Sequence, residues 1–164
     1  MTIILLGCVL ILEALILGVS VLIERRRSKQ YNKISFKETL ALTDLPIVTF
    51  INNNNRLHFV LDTGSNRSII NARELESCKY VKLEGTNKVH GMDGISREVM
   101  NVKMSLLYND KMFEDIFQVT DMSGAFDSWT NETGVTIHGI LGNTFFTKYR
   151  YLIDFDELAF YTKK

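Results

Sequence analysis

The stretch Asp62-Thr63-Gly64-Ser65 holds the residues whose types and spacing could do chemistry. It follows an apolar run, Leu57 to Leu61 with Phe59 and Val60, that reads as a buried strand, so Asp62 becomes the first residue of a tight loop leaving a sheet. A carboxylate in that place is held by backbone rather than by a long flexible stem. Gly64 lets the chain turn without a Cβ clash, and the hydroxyls of Thr63 and Ser65 can donate to a carboxylate or to a neighbouring loop. A second apolar-apolar-Gly signal, Ile140-Leu141-Gly142, stands far downstream. Two carboxylates that share one proton, with a water between them, can hydrolyse a peptide bond, but one such loop supplies only one carboxylate. The chain contains no second Asp-Thr-Gly. The economical arrangement is therefore a symmetric homodimer in which each copy contributes its own Asp62 across a two-fold axis.

The ordered pair of motifs resembles the retropepsin-like aspartic peptidases, and more distantly the two-lobed pepsins. The resemblance spans roughly Pro46 to Tyr161, and its strongest stretches are Phe59-Val60-Leu61-Asp62-Thr63-Gly64-Ser65 and Gly139-Ile140-Leu141-Gly142-Asn143-Thr144-Phe145-Phe146. It implies an aspartic endopeptidase with Asp62 as the catalytic residue and a polypeptide as substrate. Thr63, Gly64, Ser65, Ile140, Leu141 and Gly142 would then support the active-site loop, with Thr63 bridging to its counterpart. The segment His90 to Ser96 falls where that family has its flap, so Gly91, Met92, Asp93 and Gly94 are the expected substrate-binding hairpin. No cofactor and no metal is implied. Taken singly, each piece is also ordinary turn chemistry between strands. The alternative reading is a non-catalytic peptide-binding or dimerisation module on the same fold.

Composition narrows the partners. The 164 residues carry 19 basic and 19 acidic side chains, so no global field draws the chain to nucleic acid. Cys8 and Cys78 are too differently placed to suggest a bridge, and neither has metal-site spacing. His58, His90 and His138 are scattered, and His58 and His138 read as structural. No Ser nucleophile elbow or His-Glu zinc motif competes for the chemistry.

The N-terminal segment is different material. From Thr2 to Ile23 the sequence is almost continuously apolar and ends at Glu24-Arg25-Arg26-Arg27, which predicts a transmembrane helix, a cleaved signal peptide being the rival. Arg25, Arg26, Arg27, Lys29 and Lys33 follow it, so the expected topology is a single-pass membrane protein with its C-terminal domain on the cytoplasmic side. Ala14 and Gly18 form a small-xxx-small pair, and Glu13 is an ionisable group within the span; both suit helix pairing, the alternative being that small residues are simply common in membrane helices and that Glu13 is tolerated there.

The elements that must position Asp62 follow from short alternating runs. The expected division is an anchor over residues 1–24, a basic and polar linker over 25–43 and a protease-like domain over 44–164. Pro46 to Ile51 and Arg56 to Leu61 read as paired strands joined by the Asn52 to Asn55 run, and Asn71 to Ser77 as a helical turn or two. Arg97 to Tyr108 and Met112 to Thr120 alternate as strands, with Val102, Met104 and Leu106 on one face. Asp121 to Thr136 reads as an irregular loop, Thr144 to Lys148 as a short helix, and Tyr149 to Asp154 with Leu158 to Thr162 as a final strand pair. The expected fold class is all-β: a closed acid-protease-type β barrel with one or two short helices, preceded by the membrane helix.

Overall fold

The computed structural model describes residues 11–23, 31–90 and 96–163. Its elements are α1 (residues 11–23), β1 (Tyr31–Ser35), α2 (Lys37–Thr43), β2 (Ile47–Asn52), β3 (Asn55–Leu61), β4 (Ser68–Asn71), a 3₁₀ helix (Ala72–Ser77), β5 (Tyr80–His90) and β6 (Ser96–Tyr108), then β7 (Lys111–Thr120), α3 (Ser123–Thr133), β8 (Gly139–Leu141), α4 (Asn143–Tyr149), β9 (Leu152–Asp154) and β10 (Ala159–Lys163).

The asparagine run makes the hairpin the sequence leads one to expect. Asn53 and Asn54 take positive φ of 49° and 68°, a left-handed backbone that Asn tolerates, and β2 pairs with β3 from Asn52↔Asn55 to Ile47↔Val60. Strands then neighbour one another in the order β2-β3-β8-β4-β7-β6-β5, and Ile51 of β2 pairs with Leu107 of β6. That last pairing shuts β2, β3, β8, β4, β7 and β6 into a six-stranded barrel, with β5 attached to β6 outside the ring. A second, three-stranded antiparallel sheet runs β1-β10-β9.

Alternation along the strands sends one set of side chains inward. Val48, Phe50, Leu57, Phe59, Val102, Met104, Leu106, Phe113 and Phe117 are all buried in one cluster. Phe145 of α4 enters the same cluster, its ring centroid 6.1 Å from Phe50 and 5.8 Å from Phe113. A second cluster lies on the other face of β3 and β8, where Phe126 of α3 packs with Ile47 and Ile137, and Val60, Trp129 and Ile140 close around them.

Three expectations are corrected. The fold is mixed α/β rather than all-β, because α2, α3, α4 and the 3₁₀ helix surround the barrel. The segment read as the last part of a linker holds β1 and α2, and Ile34 and Phe36 are core residues. The stretch read as an irregular loop after Asp121 holds α3. Its Gly, Ser, Thr and Asn are weak helix formers, which hides it from a propensity reading. It is fixed instead by burial of Phe126, by the Asp121 carboxylate accepting from Ser123 N–H at 3.0 Å, and by Gly134 ending it at φ 73°.

The expected membrane anchor is also corrected. The described part of α1 spans about 20 Å at helical rise, short of the roughly 30 Å of a bilayer's hydrocarbon core. Among the described residues no helix is long and apolar enough to cross a membrane. The single-pass topology, the cytoplasmic placement and the membrane as a partner fall with it. The remainder of the predicted span, residues 2–10, and the basic run at 24–29 lie outside the described residues.

Phe145 carries the loop-backing helix into the core, and its side chain is fully buried. Phe145→Ala is expected to lower the unfolding free energy by about 3–5 kcal/mol, read from guanidinium denaturation. A loss below about 1 kcal/mol would mean that the ring does not fill the barrel end.

Candidate active site

β3 ends at Leu61, and the chain leaves the sheet at the next residue. Val60 and Leu61 pair in parallel with Ile140 and Leu141 of β8, while Ile69 and Ile70 of β4 flank β8 antiparallel on its other side. Asp62 N–H continues the ladder by donating to Leu141 O at 3.1 Å. A tight turn follows, with Ser65 N–H donating to Asp62 O at 3.2 Å and Gly64 N–H donating to the carboxylate oxygen Asp62 Oδ1 at 2.8 Å. Asp62 is half-buried, Thr63 and Gly64 are exposed, and Ser65 is half-buried. The Ser65 hydroxyl donates to Arg67 O at 2.7 Å, within its own loop.

The second motif grips this loop from behind. Asn143, the first residue of α4, donates its N–H to Ser65 O at 2.8 Å and its Nδ2 to Thr63 O at 2.9 Å. Gly142 must be glycine for want of space: a Cβ there would sit 2.5 Å from Arg67 O and 2.8 Å from Ser65 O. Gly139 is as tight, its Cβ meeting Ile69 O at 2.3 Å and the Phe59 ring at 2.8 Å. Thus the structure brings Asp62, Thr63, Gly64, Ser65, Leu141 and Gly142 together. Ile140 pairs in the same ladder but packs on the α3 side. Gly91, Met92, Asp93 and Gly94 lie outside the described residues; β5 and β6, which lead to them, pair out to His90↔Ser96.

Three residues at this site escape a sequence reading. Asn143 is one. The others are Ser68 and Asp115, both buried, at 0 % and 4 % exposure. Ser68 Oγ donates to Asp115 Oδ2 at 2.6 Å and accepts from Gly142 N–H at 3.2 Å. Burial pushes the Asp115 carboxyl above the ordinary carboxylate range, opposed by hydrogen bonds from Ser68 and the Ile116 backbone and by the charges of Lys148 and Arg67. The available signal was Asp115 standing between Phe113 and Phe117 at strand spacing, which puts a carboxylate on an inward face.

His58 and His138 form a pair beneath the strand ends. His58 N–H donates to His138 Nδ1 at 3.0 Å, His138 N–H donates to His58 O at 2.9 Å, and Thr49 Oγ1 lies 2.8 Å from His58 Nδ1. Burial pushes both imidazoles below the ordinary histidine range; at His58 the charges of His138 and Arg56 add to this, and at His138 the pull of Glu74 opposes it. Among the described residues no group of three His, Cys, Asp or Glu could hold a metal ion.

No protein-family model and no curated protein matches the chain. Solved structures do. The EIAV protease complexed with the inhibitor HBY-793 matches at 19 % identity and a TM-score of 0.47, over 63 % of this chain and 86 % of that one. A retropepsin-like aspartic protease from Rickettsia conorii matches at 14 % identity and a TM-score of 0.48, over 81 % of this chain and 88 % of that one. The retroviral protease-like domain of Ddi1 from Leishmania major matches at 17 % identity and a TM-score of 0.46, over 67 % and 81 %.

Two outcomes are expected from this geometry. Gly142→Ala places a methyl against backbone that has no room to move and should abolish the native fold, whereas Gly124→Ala, with nothing within 4 Å of its Cβ, should be neutral or stabilising by up to about 1 kcal/mol; circular dichroism melts compare the two. The second concerns pH. Because both folded imidazoles titrate below their ordinary value of ~6.5, the unfolded chain takes up protons first on acidification. Their stabilising contribution is complete above that value and is lost as pH falls through the folded values. His138→Asn, whose Oδ1 can accept from His58 N–H without titrating, should flatten the fall in melting temperature between pH 7.5 and pH 5 relative to the parent.

Proposed function

We propose that the chain is an aspartic endopeptidase whose active site is completed by a second copy, with one Asp62 from each subunit. The observation that supports this best is the half-buried Asp62 carboxylate fixed by Gly64 N–H on a loop that β8 and Asn143 hold from behind. A single structural turn has no need of that second grip. With Thr63 and Gly64 exposed, the loop's outer surface is open to a two-fold-related copy.

On this reading the two carboxylates hold one proton between them and titrate as a unit. The ionised Asp62 takes a proton from a water whose oxygen attacks the scissile carbonyl carbon, and the protonated partner's Asp62 donates its proton to the carbonyl oxygen. A neutral tetrahedral diol results. Its collapse re-forms the carbonyl, breaks the C–N bond and passes a proton to the leaving amine, which restores the single shared proton. Gly64 keeps each carboxylate in one orientation, and Ser65 and Gly142 keep the loop in register with β8. Thr63 is exposed beside Asp62 and is assigned the contact with its counterpart across the axis.

The test uses the full chain and a mixed peptide library. Asp62→Asn should lower cleavage by about 10³-fold or more while leaving the fold intact. After equilibration of equal amounts of parent and Asp62→Asn, random pairing leaves about one quarter of dimers with two carboxylates, so activity should fall to about half that of the same parent protein alone. Unchanged activity in the mixture would mean that each copy works alone. Peptide binding without cleavage by the parent would favour the non-catalytic module.

A further inference from the structure

We propose that Asp115 is a positioning residue that acts through Ser68 to fix the Gly142 peptide, and through Gly142 the grip of Asn143 on the Asp62 loop. Its catalytic consequence rests on the function proposed above; its structural consequence does not.

A carboxylate at 4 % exposure between Phe113 and Phe117, two rings at 0 %, is out of place for a packing residue. Apolar side chains would fill that inward position of β7 at lower cost, since burying a charge is unfavourable unless it is hydrogen-bonded. What the carboxylate supplies is direction. With the Asp115 oxygen as acceptor, the one hydroxyl proton of Ser68 is committed to Asp115 Oδ2 at 2.6 Å, and the lone pairs of Ser68 Oγ are left to face Gly142 N–H at 3.2 Å. Without that acceptor the hydroxyl rotates, and the Gly142 amide loses an oriented partner in a site closed to water.

Gly142 transmits the effect because it has no slack. Its Cα approaches the Arg67 and Ser65 carbonyls so closely that a Cβ would overlap both. The next residue, Asn143, holds Ser65 O and Thr63 O. A shift of the Gly142 peptide therefore moves two of the three residues that follow Asp62.

The experiment compares the full-length parent with Asp115→Leu, which removes the acceptor and keeps the branching of the side chain with bulkier ends, and with Asp115→Asn, which keeps an oxygen for Ser68. Amide hydrogen exchange at Gly142 and Asn143 is read against the β6 and β7 ladders, together with kcat and KM on a cleaved peptide. In Asp115→Leu, exchange at Gly142 and Asn143 should quicken by about tenfold or more with the ladders unchanged. The same variant should lose about ten- to a hundredfold in kcat with KM within about twofold, and Asp115→Asn should restore both readouts. Ser68→Ala, which breaks the relay at its middle, should give the same local exchange pattern and takes the place of Asp115→Leu if that variant does not fold. Parent-like protection at Gly142, equal quickening at every amide, or an Asn variant as impaired as the Leu variant would overturn the proposal. If no peptide is cleaved by the parent, the proposed function fails, and exchange alone decides the role of Asp115.

Discussion

A strand of three residues, β8, has to fit between β3 and β4 with bare backbone just where each neighbour comes closest. At Gly139 there is no room for a side chain against Ile69 O and the Phe59 ring, and at Gly142 there is none against Arg67 O. Everything near Asp62 inherits this constraint. β3 runs directly into Asp62 and β4 begins just after Arg67, so both ends of the Asp62 loop belong to the two strands that β8 holds together. The loop's shape is in this sense a property of the sheet. Its own sequence contributes a turn glycine and a side-chain acceptor, and the sheet decides where they point.

Two apolar clusters then clamp the β3–β8 pair from opposite faces. On one side stands the aromatic interior of the barrel, where Phe50 meets Phe59, Phe113 and Phe145 edge-on at 5.5–6.3 Å between centroids. On the other side α3 lays Phe126 and Trp129 over Val60 and Ile140. On the reading proposed above, the Asp62 carboxylate meets a partner's at close range and needs a support that moves by less than the tolerance of the chemistry, which a support packed on one face only would not provide. α3 is thus part of the same device as the core, although it lies outside the barrel.

What could be read in the sequence was what depends on local rules. The Asp62 loop, the β2–β3 hairpin at Asn53 and Asn54, the inward set Val102, Met104 and Leu106, and the short helix after Gly142 all follow from turn chemistry and period. What escaped depends on distant packing. α3 has poor intrinsic propensity and exists through burial of Phe126. β1 becomes a strand only because β10 offers it an edge, Tyr31↔Lys163 to Ser35↔Ala159. Asp115 could have been noticed as a charge at an inward step of an alternating run, but nothing local says that Ser68 waits opposite. The apolar N-terminal run points to a bilayer span by hydropathy alone, and the described helix is too short to make one.

The separation of β3 from β8 along the chain has a consequence in time. Phe59 pairs with Gly139, and contacts between residues so far apart in sequence close late because the intervening chain must first be ordered. At a synthesis rate of ~5–20 residues per second, the Asp62 loop leaves the ribosome on the order of ten seconds before the strand that gives it shape. During that interval the nascent polypeptide carries the motif without the architecture. A carboxylate that cuts peptide bonds, on the reading proposed above, therefore has no fixed support until β8 has emerged and paired.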